Sequence, residues 1–506
     1  MNGSYSTLDS SNSAITARYD AIPYAALPHP LTHPDRLATV ATFLGMRPPD
    51  VAQCRVLELG CNDGANLIPM AMSLPSAQFV GCDLSARALD AGRRLIAELG
   101  LSNTRLVEED LSTLSPSHGT FDFIVAHGVY SWVPAHVRDA LFALASTRLS
   151  PNGIMFVSFN ALPGCRVRQV AWEILHAHVD HIEDPRVRLT EARKLALIIG
   201  EGGKAWYDEA VRAEFRLVAQ RSDSELFHDD LALPNEPVYF REFVAHAVRF
   251  GLKYLAEVDL HSMSAADLSA EARAFLSTLD PLMREQYLDY IRLRRFRQSL
   301  LCRSDAQSEM KIYPERVAAM HAAADPSLLR AAEAGKVGEL ASGLDTNHGE
   351  HGPVRILLDT LVRRSPGAVA VAELRESVGA LPRPVETILA HGFVSSIVSL
   401  HVHPASFATT ATERPVASPL ARLQARNDMR VTNLRHEPVQ IDADLARLIQ
   451  LLDGTRSRED IERVALEWAT ANAAASGAPT PGAMERVVKD RVAEALRQFA
   501  KLALLV

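Results

Sequence analysis

The sequence predicts an α/β protein built on a doubly wound parallel sheet, carried by residues 19–305 of a 506-residue chain. Three observations predict it. Short apolar runs alternate with helical stretches from Arg55 to Asn160, the pattern of βαβ units whose right-handed crossovers cover both faces of a sheet. A glycine-containing turn follows the first run, and a carboxylate stands at or just beyond the end of each of the first three. Sheets of this kind admit ligands at the carboxyl ends of their strands.

Composition supports large cores and narrows the function. With 47% apolar and 23% charged residues, a disordered chain, a collagen-like repeat and a disulfide-stapled mini-protein are excluded. The 53 basic and 61 acidic residues leave a net charge of −8, which provides no global attraction to nucleic acid or anionic lipid. Cys54, Cys61, Cys82, Cys165 and Cys302 show neither CxxC pairing nor metal-ligand spacing and read as small buried hydrophobes. No basic start leads into an apolar run, and no stretch approaches the ~18 apolar residues of a membrane span. The expectation is a reduced, cytoplasmic protein without membrane insertion.

In chain order, residues 1–18 are rich in Ser, Thr and Asn and are expected to be a disordered lead-in. Tyr19–Tyr24 and Thr32–Ala38 read as an extended arm entering a helix at Pro34. Five strand-like runs follow, Arg55–Cys61, Gln78–Ser85, Thr104–Asp110, Phe121–Gly128 and Gly153–Asn160, separated by helical segments. A helical insertion occupies about 166–236. Pro237–Gly251 then reads as a helix and Leu252–Leu260 as a further strand of the same sheet, with Arg295–Arg303 as its edge strand. Residues 306–350 form a helical linker ending in a glycine-rich stretch, 351–410 run helix, turn, helix, strand like part of a winged helix, and 411–506 are mostly helical.

The strongest chemical signal is Val56–Asn66, a strand carrying Glu58 that runs into Gly60, Cys61, Asn62, Asp63 and Gly64. Glycine lets the backbone approach a ligand, but two acidic side chains would repel a pyrophosphate. The loop suits a cationic or neutral ligand. Asp83, followed by Leu84, stands 19 residues beyond Gly64, placed to accept hydrogen bonds from vicinal ribose hydroxyls. Asp110 and Leu111 sit where an adenine edge would be read. After the fourth run come His127, Gly128, Tyr130 and Trp132, whose rings suit a sulfonium or an amine. Asn160 ends the fifth.

This stretch resembles the class I S-adenosylmethionine-dependent methyltransferases. The resemblance implies a Rossmann-like sheet and S-adenosyl-L-methionine as cofactor, with the loop facing its methionyl part, Asp83 holding the ribose and Asp110 contacting the adenine. Glu58, Gly60, Asn62, Gly64, Asn66, Leu84, Leu111, His127 and Gly128 complete the expected cofactor site. Asn62 stands where the usual loop has its middle glycine, and Asn is the residue after glycine most at home in the left-handed region. The arm, His127–Pro134, the Asn160–Gly164 turn and Leu226–Glu257 together resemble the subgroup with a methyltransferase regulatory domain, here about 215–303, which includes rickettsial protein-lysine methyltransferases acting on an outer-membrane protein. Ala421–Leu434 and Leu451–Ile461 have the look of its C-terminal part. Phe159 and Cys165 depart from the tyrosine and aromatic residue common there.

The expected reaction is in-line methyl transfer, to a protein lysine, or alternatively to a small molecule. A non-catalytic cofactor-binding scaffold is the reading outside the enzyme class. Tyr24, Tyr130, Trp132 and Asn160 are the residues expected at the acceptor, and no general base is assigned. His401 with His403, and His176, His178 and His181, lack the companions a metal site needs, and no metal is expected. The basic run at 292–298 reads as a solvated face. Without a basic recognition helix, no nucleic-acid partner is expected. The insertion's apolar faces would serve a homodimer or intramolecular burial equally.

Overall fold

The structure, a computed structural model, describes residues 22, 24, 26–203, 208–308, 311–344, 352–378, 383–473 and 481–506. The expected lead-in, most of Tyr19–Pro23, and residues 345–351 of the expected glycine-rich stretch lie outside them.

The five runs become β1 (Arg55–Leu59), β2 (Gln78–Asp83), β3 (Thr104–Glu108), β4 (Phe121–Ala126) and β5 (Leu149–Leu162). They pair in parallel in the order β3-β2-β1-β4-β5, so the winding reverses between β1 and β4. Val56, Leu57, Phe123 and Ile124 are all fully buried, as strands covered by helices on both faces require. The helix Ala86–Leu99 shows how the sequence sets its own limits, with the Ser85 hydroxyl capping its start and Gly100 in the left-handed region at its end. Its Gly92 lies against the ligand loop so closely that a Cβ there would fall 2.2 Å from the Asp63 carbonyl oxygen. All five cysteines are buried and free.

The short β6 (Val238–Tyr239) extends the end of β5. The last two strands of the sheet, β7 (Leu252–Glu257) and β8 (Phe296–Arg303), correct the sequence reading. β8 is not the edge: it lies antiparallel between β5 and β7, and β7 takes the edge. Successive Leu300, Leu301 and Cys302 point to opposite faces and are all fully buried, which a central position demands.

The basic run at its start is also not a solvated face. Arg297 is fully buried, with Nη1 2.6 Å from Glu257 Oε1, and Nε and Nη2 each 2.9 Å from the two Asp289 oxygens. It also donates to Glu285 and lies 4.0 Å over the Phe240 ring. Two of these acids stand on the helix Pro281–Arg292, so a single guanidinium ties that helix to the sheet.

The insertion folds into the helices Cys165–Val179, Pro185–Glu201 and Glu209–Gln220 around its own apolar cluster, including Leu175, Phe215 and Leu226. Toward the C-terminus, β9 (His321–Ala324), β10 (Val369–Ala370) and β11 (Val398–His401) form an antiparallel sheet in the order β10-β9-β11. It packs with the helices Pro353–Arg364 and Val385–Val394. A hairpin of β12 (Arg430–Thr432) and β13 (Pro438–Gln440) and the helices Ala443–Gln450, Arg458–Ala473 and Pro481–Lys501 follow.

The arm helix Pro34–Phe43 lies where sheet and C-terminal part meet. Asp35 accepts from the His401 ring at 2.8 Å and from the His403 backbone, and Thr39 accepts from the Val402 backbone at 3.0 Å. One continuous apolar core runs from Leu37 and Phe43 through β1 and β5 to Phe393 and Leu400. Among the described residues, no helix is long and apolar enough to cross a membrane.

Candidate active site

At the carboxyl ends of β1 and β4, where the winding reverses, a cavity of about 430 Å³ opens. Gly60, Asn62 and Gly64 all take positive φ, at 72°, 50° and 75°. The asparagine thus adopts the left-handed conformation expected of it. That turn lets Asp83 reach back, its Oδ2 accepting from the Asn62 N–H at 2.8 Å while Oδ1 accepts from the Ser85 N–H at 2.9 Å. Each carboxylate oxygen has further acceptor capacity.

Glu58 is 4% exposed, and its Oε1 accepts from Asn66 Nδ2 at 2.7 Å. Its Oε2 is buried with no hydrogen-bond partner among the described residues. Burial pushes this carboxyl up to about 8, against the pull of the Asn66 bond and with added repulsion from Asp83 and Asp63. Burial raises Asp63 and Asp83 as well. A buried acceptor without a donor, beside two more acids, fits a ligand that brings a cation and hydroxyls, as S-adenosyl-L-methionine does.

The structure brings nearly all of the expected cofactor residues to this cavity. Glu58, Gly60, Asn62, Asn66, Asp83, Leu84, Asp110, Leu111, His127 and Gly128 line it. Gly64 does not: it turns the loop from behind, against Ile68 and Leu106. Of the residues expected at the acceptor, Tyr24, Trp132 and Asn160 line the cavity. Tyr130 is a correction. It is 2% exposed, its hydroxyl pairs with His246 Nδ1 at 2.8 Å, and its ring packs among Phe142, Phe159 and Phe243. A ring so enclosed braces the loop from behind and does not meet a substrate.

The cavity is also lined by residues that sequence reasoning missed, including His29, Arg168, His228, Asp229, Arg295 and Phe296. Asp229 is raised to about 6 by burial, with Arg168 and Arg221 pulling the other way. Tyr24 is raised to about 12 by burial and by Asp229 and Glu225. The rings of His29 and His127 lie 3.9 Å apart, and burial lowers them to about 4 and about 3. Both are therefore neutral at pH 7. His228 and Asp229 lie inside Leu226–Glu257, but two polar residues at the end of a helical pattern carry no spacing that marks a site.

Comparison with known proteins agrees with this geometry. A methyltransferase domain model matches residues 56–153, that of a "predicted methyltransferase regulatory domain" matches 222–303, and that of the "PKMT, C-terminal winged helix domain" matches 413–504. The uncharacterized protein RP789 of Rickettsia prowazekii (strain Madrid E) is 36% identical over 298 residues, 58% of this chain and 54% of its own length. The chain thus spans about half of that relative. RP028 of the same organism is 32% identical over 240 residues, 47% of this chain and 96% of its own. Among solved structures, PKMT2 from Rickettsia typhi is 25% identical, with a TM-score of 0.83 over 96% of this chain and 100% of that one. Its complex with AdoHcy gives 0.81 over the same shares. The chain belongs to the class I S-adenosylmethionine-dependent methyltransferases that carry a methyltransferase regulatory domain.

Proposed function

We propose that the chain transfers a methyl group from S-adenosyl-L-methionine to a protein lysine side chain. The observation that carries this reading is a single cavity lined both by the acids and positive-φ turns of the loop and by Tyr24, Trp132 and Asp229. When bound, the cofactor supplies a methyl already activated by its sulfonium. The protein's work is then to bind, orient and exclude water. Glu58 meets the ammonium, Asp83 the ribose hydroxyls, and Asp110 with Leu111 the adenine edge.

At the acceptor end, a lysine ε-amine with a reference pKa of ~10.4 must shed a proton before it can attack. Burial among Trp132, Leu233 and Phe296 favours the neutral amine. Asp229 accepts a hydrogen bond from the amine. Tyr24, un-ionised at neutral pH, offers a hydroxyl that both accepts and donates, and the Asn160 side chain, held by Asn235 at 2.8 Å, closes the wall. The PKMT name of the structural relative and of the C-terminal family model supports the same acceptor.

The test is to incubate the full chain with a cell lysate and methyl-radiolabelled cofactor, then digest with protease or nuclease and hydrolyse the labelled fraction. Protease-sensitive label recovered as methyl-lysine supports the reading. Label in a small-molecule fraction overturns the acceptor. Cofactor binding without any labelled acceptor leaves a non-catalytic scaffold.

A further inference from the structure

We infer that His436, in the C-terminal part of the chain, is a positioning residue of the cofactor site, holding Glu58 in its binding orientation through the side-chain amide of Asn66. His436 Nε2 lies 2.9 Å from Asn66 Oδ1, although 370 residues separate them. Both side chains are buried. The inference rests on the assignment of this cavity to the cofactor.

Asn66 is a junction of three distant segments. Its Oδ1 also accepts from the His29 backbone N–H at 2.8 Å, and Thr32 Oγ1 lies 3.3 Å away. Its Nδ2 donates to Glu58 Oε1 at 2.7 Å and to Thr32 Oγ1 at 3.0 Å. An amide of this kind can turn over, exchanging its oxygen and nitrogen. Turned, it would set its oxygen against the Glu58 carboxylate and its NH₂ against two donors. The His436 N–H and the His29 backbone are the donors that hold the oxygen away from Glu58. The histidine is suited to the task because burial, with His33 and His29 nearby, lowers it well below its ordinary value. It stays neutral with its one proton on the nitrogen facing Asn66.

His436 is itself fixed. It takes φ +62° in the turn between β12 and β13, its backbone N–H bonds Asn433, and Leu434 bonds the Ala503 carbonyl. The C-terminal part thereby reaches Glu58 through two hydrogen bonds. The titratable groups around Glu58 are Asp63 and Asp83, which raise it, and His29, His33, His127 and His436, all kept uncharged by burial.

Calorimetry of AdoHcy binding to the full-length protein tests this. His436→Ala is expected to weaken AdoHcy about tenfold at pH 7, the size of one lost hydrogen bond to a charge-bearing network. The pH midpoint of binding should move upward, because Glu58 loses a steady donor, whereas damage elsewhere in the fold would leave it in place. His436→Gln, which restores an N–H donor, should return affinity to within about threefold. Added to Glu58→Gln, His436→Ala should change affinity less than about twofold. If alanine leaves the chain unfolded, His436→Met is read against the same outcomes. Affinity within twofold of the unaltered protein, an unmoved midpoint, or a loss that simply adds to that of Glu58→Gln overturns the inference. Failure of the unaltered protein to bind AdoHcy overturns the site assignment instead.

Discussion

Two groups of clustered carboxylates in this molecule differ in whether the chain supplies their counter-charge. Glu257, Glu285 and Asp289 surround Arg297, and Arg294 adds a second guanidinium 3.3 Å from Asp289. Glu58, Asp63 and Asp83 stand together at the ligand loop, and no basic side chain of the described residues pulls any of them down. Burial alone drives acids upward, and a fixed cation opposes that. Glu257 accordingly falls below its usual range although burial opposes it, because Arg297 and Arg294 outweigh the burial. Glu285 and Asp289 stay raised by burial with the same guanidiniums pulling against it, while Glu58 rises with no such cation to oppose burial. The first group carries its counter-charge within the chain and serves structure. The second has none among the described residues, in keeping with the proposed ligand supplying it.

The comparison breaks most visibly at Arg297. Arg297→Met leaves three buried acids without their main cation and should destabilise the fold by ~3–5 kcal/mol, read by urea unfolding. A loss under 1 kcal/mol would show that the cluster is not structural. At the other group, Asp83→Ala should weaken AdoHcy by ~10- to 100-fold, the worth of one or two hydrogen bonds to a charged acceptor, measured by calorimetry.

The raised Glu58 gives the pH dependence its sign. At pH 7 an acid with a value of about 8 is mostly protonated in the empty site, and a bound cation favours its ionised form. Binding therefore releases a proton, and affinity should climb about tenfold from pH 7 to 9 before levelling, a rise that Glu58→Gln removes. Because the folded value lies above the unfolded one, the empty protein loses stability as pH rises from 4.5 toward about 8. The smallest expected effect belongs to Tyr130→Phe, which should lose ~1 kcal/mol of stability with the His246 hydrogen bond and leave methyl transfer within about twofold in a peptide assay.

What was legible in the sequence was local. Glu58, the glycine turn and Asp83 can be read because the strand, the loop and the next strand fall within 30 residues, and the left-handed Asn62 follows from that turn's needs. The place of β8 could not be read this way. An apolar run such as Leu300–Cys302 looks the same at an edge or in a centre, and only its pairing with β5 decides. Arg297 sat in a run that resembles a solvated face because its three acids are 8 to 40 residues away. Tyr130 misled for the reverse reason: it adjoins the site in sequence while its ring turns toward Phe243 and His246. His436 carried no signal at all, since nothing near it in the chain involves the ligand.

The arm helix Pro34–Phe43 has a consequence in time. Leu37, Val40 and Phe43 are fully buried, and one side of the helix is closed by Phe393, Leu400 and the backbone at Val402 and His403. A ribosome adding ~5–20 residues per second releases this helix roughly 20–70 s before the segment that closes it. For that interval its outer apolar side is without the neighbour that covers it in the folded chain. A segment made much later in synthesis therefore completes the packing of this helix.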